Sequence, residues 1–125
     1  MGFSPCGAKT INAIIEKAQI EYCRRFGADY VPAPTELKLG AALATKGRLP
    51  ANGLRHPPTA ETCGWYIWWG EDFSTADDFF APLCAKHVYE DFPEIAPLLG
   101  LPPGYRFLLA GNYVDVWFDA SLLVE

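Results

Sequence analysis

The chain has 125 residues, of which 50% are hydrophobic, 14% aromatic and 20% charged. That length buries roughly two-thirds of the unfolded surface in a single domain, and the composition is too apolar for intrinsic disorder, so residues 1–125 read as one domain. The net charge of −5 divides into +4 over residues 1–55 and −9 over residues 56–125, a balance that argues against nucleic acid or acidic membranes as partners and favours a protein with a basic surface.

The N-terminus, Met1-Gly-Phe-Ser-Pro-Cys6, has neither the basic n-region nor the apolar core of a signal peptide, and no stretch approaches the roughly 18 apolar residues of a membrane span. A cytoplasmic location is the expectation. Cys6, Cys23, Cys63 and Cys84 show no C-x-x-C spacing and no nearby His pair, so they read as small buried hydrophobes in a reducing compartment and not as a zinc site. No metal and no cofactor is implied.

From Lys9 to Phe26, Ile11, Ile14, Ile15, Ala18, Tyr22 and Phe26 recur at helical spacing, and Gly27 ends the pattern. The Pro-containing segment 30–34 is extended. Thr35 caps a predicted second helix running to about Lys46, with Gly47 as its stop. Residues 47–63, rich in Gly, Pro and Asn without periodicity, read as a long loop. Gly64-Trp-Tyr-Ile-Trp-Trp-Gly70 is a β-favouring aromatic run, which predicts a central strand with its end, from Trp69 to Asp72, exposed. Ser74 to Asp78 offers helix caps, so a third helix is expected over about 79–91 with Pro82 in its first turn. Pro93 opens one further turn that closes at Gly100. Two strands, Tyr105–Ala110 and Tyr113–Phe118, flank Gly111-Asn112 as a two-residue hairpin. The sum is an α+β fold: an antiparallel sheet of three or more strands with a C-terminal hairpin, packed by three or four helices.

Little of this carries catalytic chemistry. Only His56 and His87 could activate a nucleophile, and no Gly-x-Ser-x-Gly elbow accompanies them. Glu71/Asp72 and Asp77/Asp78 are adjacent acids at a predicted helix start, not carboxylates held across a cleft. Neither a phosphate-binding loop nor a dinucleotide fingerprint is present. The chain therefore reads as a non-enzyme. What stands out is a cluster of aromatics beside acids between Trp65 and Phe80, a combination suited to protein interfaces.

Asn52-Gly-Leu-Arg-His-Pro-Pro58, Gly64-Trp-Tyr-Ile-Trp68 with Gly70-Glu71, Asp78-Phe-Phe80 with Pro82-Leu83 and His87, Leu99-Gly-Leu-Pro-Pro-Gly-Tyr-Arg-Phe-Leu108 and Asp115-Val-Trp-Phe-Asp119 together resemble a family of small bacterial proteins. That family is classed with the immunity proteins of polymorphic-toxin and secreted-effector systems. The resemblance covers residues 52–123 well and the N-terminal helices weakly. It implies an antidote that binds a cognate toxin one to one, and many such toxins are nucleases with basic clefts that an acidic protein can occupy. On that reading Trp69, Glu71, Asp72, Asp77 and Asp78 are the contact residues. The rival reading is a small-molecule-binding or hydrolytic domain with a pocket near Arg55, His56 and Arg106.

Overall fold

The computed structural model describes residues 13–124. Strands β1 (Lys38–Ala41), β2 (Ala51–Arg55), β3 (Thr62–Trp69), β4 (Ala81–Cys84), β5 (Tyr105–Ala110) and β6 (Tyr113–Phe118) form one sheet in the order β4-β1-β3-β2-β5-β6. β1 runs parallel to β3 and every other pairing is antiparallel. Helices α1 (Ala13–Arg25) and α2 (Ala85–Asp91) and the 3-10 segment Ala96–Gly100 accompany the sheet. The fold is thus α+β with the expected C-terminal hairpin, but its sheet is mixed and two α-helices stand among the described residues in place of three or four.

Side-chain alternation splits the sheet into two faces. Cys63, Trp65, Ile67 and Trp69 of β3 join Leu39, Ala51, Phe107, Val88, Ile95, Leu98 and Leu99 in the main core beneath the helices. Leu54 and Trp68 point the other way, into a second cluster with Ala42 and Leu122, against which Tyr66, Phe79 and Phe80 pack. On this back face the cover is the β3–β4 connection and the short C-terminal turn Ala120–Leu123.

Three expected elements are different. The helix of residues 35–46 is β1 followed by a 3-10 turn at Leu43–Thr45. Its Leu and Ala residues favour helix in isolation, but Leu39 pairs with β4 and Ala41 with both β3 and β4, and both bury against the core; tertiary pairing overrides propensity. The loop of 47–63 contains β2. Gly53 sits there because the Phe107 ring occupies the space a Cβ would need. Asn52 holds the strand end, its Nδ2 donating to the carbonyls of Pro50, Trp68 and Gly70. The helix of 79–91 begins only at Ala85, since Pro82 lies in β4 at the sheet edge, where a missing N–H is tolerated. Ser74 does not cap a helix, and its Oγ accepts instead from Ala76 N.

The aromatic run is the central strand that was expected, and Gly111, at φ +59°, supports the two-residue hairpin turn. Part of the first helix expectation, residues 9–12, lies outside the described residues, as does Cys6. Cys23 and Cys63 are buried free thiols, whereas Cys84 is disulfide-bonded, contrary to the expectation for it. No helix among the described residues is long and apolar enough to cross a membrane.

Candidate functional site

Arg55 and His56 are consecutive, so they point to opposite faces of the sheet. Arg55 is 1% exposed. Its Nε donates to Cys63 O at 2.9 Å, one terminal nitrogen to Val31 O at 2.6 Å and Leu101 O at 2.7 Å, and the other to Pro32 O at 3.2 Å. Its guanidinium lies 5.7 Å from the Trp65 ring centre. Burial pulls the Arg55 pKa down, yet four carbonyl dipoles from three segments of chain surround the charge. This arginine is a cross-brace between β2, β3, the 31–32 segment and Leu101.

The Leu99-Gly-Leu motif belongs to the same structure. Trp65 Nε1 donates to Leu99 O, Gln19 Nε2 to Ala96 O, Cys23 Sγ to Gly100 O and Val31 N to Gly100 O. Gly100 is needed because the Tyr30 ring and Gln19 crowd its Cα. Tyr89 adds a 2.6 Å hydrogen bond to Ala33 O. Much of the motif set is therefore a hydrogen-bonded hub holding the helices to the sheet.

Burial raises the Cys23 and Cys63 thiols and the Tyr30 phenol, and pushes Tyr89 up to about 12. Groups raised in the folded state contribute stability that is complete below their unfolded pKa and is lost as pH climbs toward the folded value. Stability is therefore expected to hold to about pH 9, the ordinary thiol range, and to fall steeply between pH 10 and 12, with Tyr89 contributing about 2–3 kcal/mol of the loss. Denaturant unfolding across pH 8–12 measures this. Tyr89→Phe should flatten the fall while costing about 1 kcal/mol at neutral pH; an unchanged alkaline limb in that variant would rule the assignment out.

His56 lies on the back face, its Nδ1 3.1 Å from Leu122 O and its ring edge-on to Tyr66. With Leu54, Tyr66, Phe73 and Phe80 it lines a cavity of about 150 Å³, room for one side chain. Arg106 is elsewhere on that face, bonded to Asp119 at 3.1 Å and 5.8 Å from the Trp117 ring centre. Hydrogen bonds from Ser121 and Arg106 hold the Asp119 carboxyl below the usual range. Arg55, His56 and Arg106 thus do not converge on one pocket.

The acids and the aromatics do meet, in the β3–β4 connection. Residues 70–85 hold four acids and no Lys or Arg, and Glu71, Asp72, Asp77 and Asp78 are all exposed. Between them Phe73 is 51% exposed. It is held by Trp68, Phe79 and Phe80, whose ring centres lie 5.0, 6.1 and 5.9 Å from its own. The expectation of an exposed strand end fails at Trp69, which is 5% exposed and stacks on Phe92 in the main core. The exposed aromatic of this connection is Phe73, which lies beyond the end of β3, where strand alternation gives no signal.

Trp69 and Phe92 also line a groove of about 640 Å³ together with Leu109, where Lys46, Arg48, Asp91 and Glu94 set both signs of charge around it. Among the described residues no His/Cys/Asp/Glu group is arranged to hold a metal ion.

No curated protein and no solved structure matches the chain. A family model does, that of the Imm33-like domain, and it spans residues 18–119. That stretch takes in Gln19 and Cys23 of α1, the whole hydrogen-bonded hub, the acidic connection and the hairpin, and the chain belongs to the Imm33-like family.

Proposed function

We propose that the protein is an immunity protein that binds a cognate bacterial toxin one to one and neutralises it, with the β3–β4 connection as its contact surface. The family assignment supports the class of function. The observation that carries the site is the exposed Phe73, packed on an aromatic base and flanked along the chain by the exposed acids Glu71, Asp72, Asp77 and Asp78. A rigid apolar anchor with a charged rim is the arrangement that concentrates binding energy at protein interfaces, and a one-signed rim steers an oppositely charged partner. The partner is therefore a toxin with a basic surface, and a nuclease whose substrate cleft is basic fits that description. Trp69, buried in the main core on the other face of the sheet, takes no part in this contact surface.

The test begins with the toxin recovered on a tagged copy in the native host at low salt. Reversing Glu71 and Asp72 to Lys is expected to slow association about tenfold or more and to flatten its salt dependence, with a smaller effect on dissociation. Phe73→Ala should act mainly on dissociation. A protein that recovers no toxin, or an association rate indifferent to the reversal, overturns the reading.

A further inference from the structure

The two edges of the sheet are unlike. β4 is four residues long, carries Pro82 and leads directly into α2, devices that keep an edge from pairing. β6 is six residues long, Tyr-Val-Asp-Val-Trp-Phe, without Pro, Lys or Arg, and among the described residues it pairs with β5 alone. Tyr113, Trp117 and Phe118 on it are 59, 39 and 52% exposed. The two-residue loop makes Ala110 and Tyr113 the closing pair, so Tyr113, Asp115 and Trp117 bond to β5 and the backbone groups of Val114, Val116 and Phe118 face outward.

We propose that this edge pairs with β6 of a second copy, antiparallel about a two-fold axis at Val116, so that two sheets continue as one. The register follows from charge. Pairing centred on Asp115 sets two carboxylates opposite one another, which is unfavourable. Moving the axis one residue sets Val116 against Val116 and Val114 against Phe118, using the outward-facing backbone groups, and sets each Asp115 against the Trp117 that carries Arg106. Acid then meets aromatic and cation, and the apolar side chains on the helix-side face meet one another. The β3–β4 connection lies toward the opposite edge, so both copies keep it free and the dimer presents two acidic surfaces.

The proposal does not depend on the toxin reading and is tested on the chain alone. Sedimentation or light scattering over micromolar to high-micromolar concentration is expected to show a monomer–dimer equilibrium reaching twice the monomer mass. Val116→Pro removes an outward N–H and should weaken association at least tenfold with circular dichroism unchanged. Val116→Cys should form a symmetric disulfide dimer under mild oxidation, because directly opposed residues of such a pair stand about 5.5 Å apart at Cα, whereas Asp115→Cys should not. A chain that is monomeric at every concentration, or a position 116 that does not cross-link while 115 does, overturns the pairing and leaves the edge to a strand from a different protein.

Discussion

Replacing Arg55 by methionine is expected to destabilise the fold by about 3–5 kcal/mol, because four backbone carbonyls lose a charged hydrogen-bond donor at once. The volume is similar and the side chain is 1% exposed, so the loss comes from the carbonyls of Cys63, Val31, Leu101 and Pro32, which would be left without their donor. Against a typical total of about 5–15 kcal/mol, that removes a large share of the stability. Lysine keeps the charge but is a compact point donor and cannot reach four oxygens spread over a planar fork, so Arg55→Lys should recover only part of the loss. Denaturant unfolding measures both variants. A ligand-binding arginine would behave in the opposite way, losing function with stability intact, so a cost below about 1 kcal/mol for Arg55→Met would reopen the rival pocket reading.

Gly64→Ala is expected to cost about 3 kcal/mol or more, for two separable reasons. Gly64 holds φ at +96°, a backbone conformation that L side chains rarely adopt, and a Cβ there would overlap the carbonyl oxygen of His56. That oxygen is backbone, on the residue that directly follows β2, and cannot rotate aside as a side chain would. His56 N donates to Gly64 O at 2.9 Å, so relief of the clash would pull β2 from β3 at the point where Arg55 crosses. Gly27→Ala is the matched control, because Gly27 has φ +70° with open space around it. It should show the conformational cost alone, about 1 kcal/mol. Equal losses at the two positions would mean that the overlap with His56 is relieved at no cost.

The parts of the fold that were legible in the sequence are those with a local signature. The hairpin has Gly111-Asn112 between two alternating runs, the central strand has its aromatic density, and α1 has a regular apolar period closed by Gly27. β1 and β2 have no such signature. Lys38-Leu-Gly-Ala41 and Ala51-Asn-Gly-Leu-Arg55 are strands only because β3 lies beside both and its flat Trp65 and Ile67 surface needs neighbours on either side. Their Gly, Asn and Ala residues are answers to close approach, Gly40 beneath Tyr66 and Gly53 beneath Phe107, and close approach is invisible in one dimension. The candidate site divides in the same way. The exposed acids could be read from charge alone, since nothing basic lies near them in sequence. The surroundings of Arg55 are not legible, because a cation in a Pro- and Gly-rich stretch resembles a loop ligand and the carbonyls that enclose it arrive from residues up to 46 positions away.

The seat of α1 on the Ala96–Gly100 segment has a bearing on how the chain is made. Gln19 and Cys23 bond to carbonyls 77 residues further along, and a 13-residue helix is marginal in water without a surface to pack on. During synthesis α1 leaves the ribosome long before that surface exists. Arg55 is in the same position, because one of its acceptors is Leu101. The N-terminal half therefore has no stable fold of its own to reach early, and the domain closes cooperatively only when the residues around position 100 have emerged. Until then Trp65, Ile67 and the unpaired carbonyls stay open to proteases and chaperones, so the newly made protein passes from vulnerable to protected in a single late step.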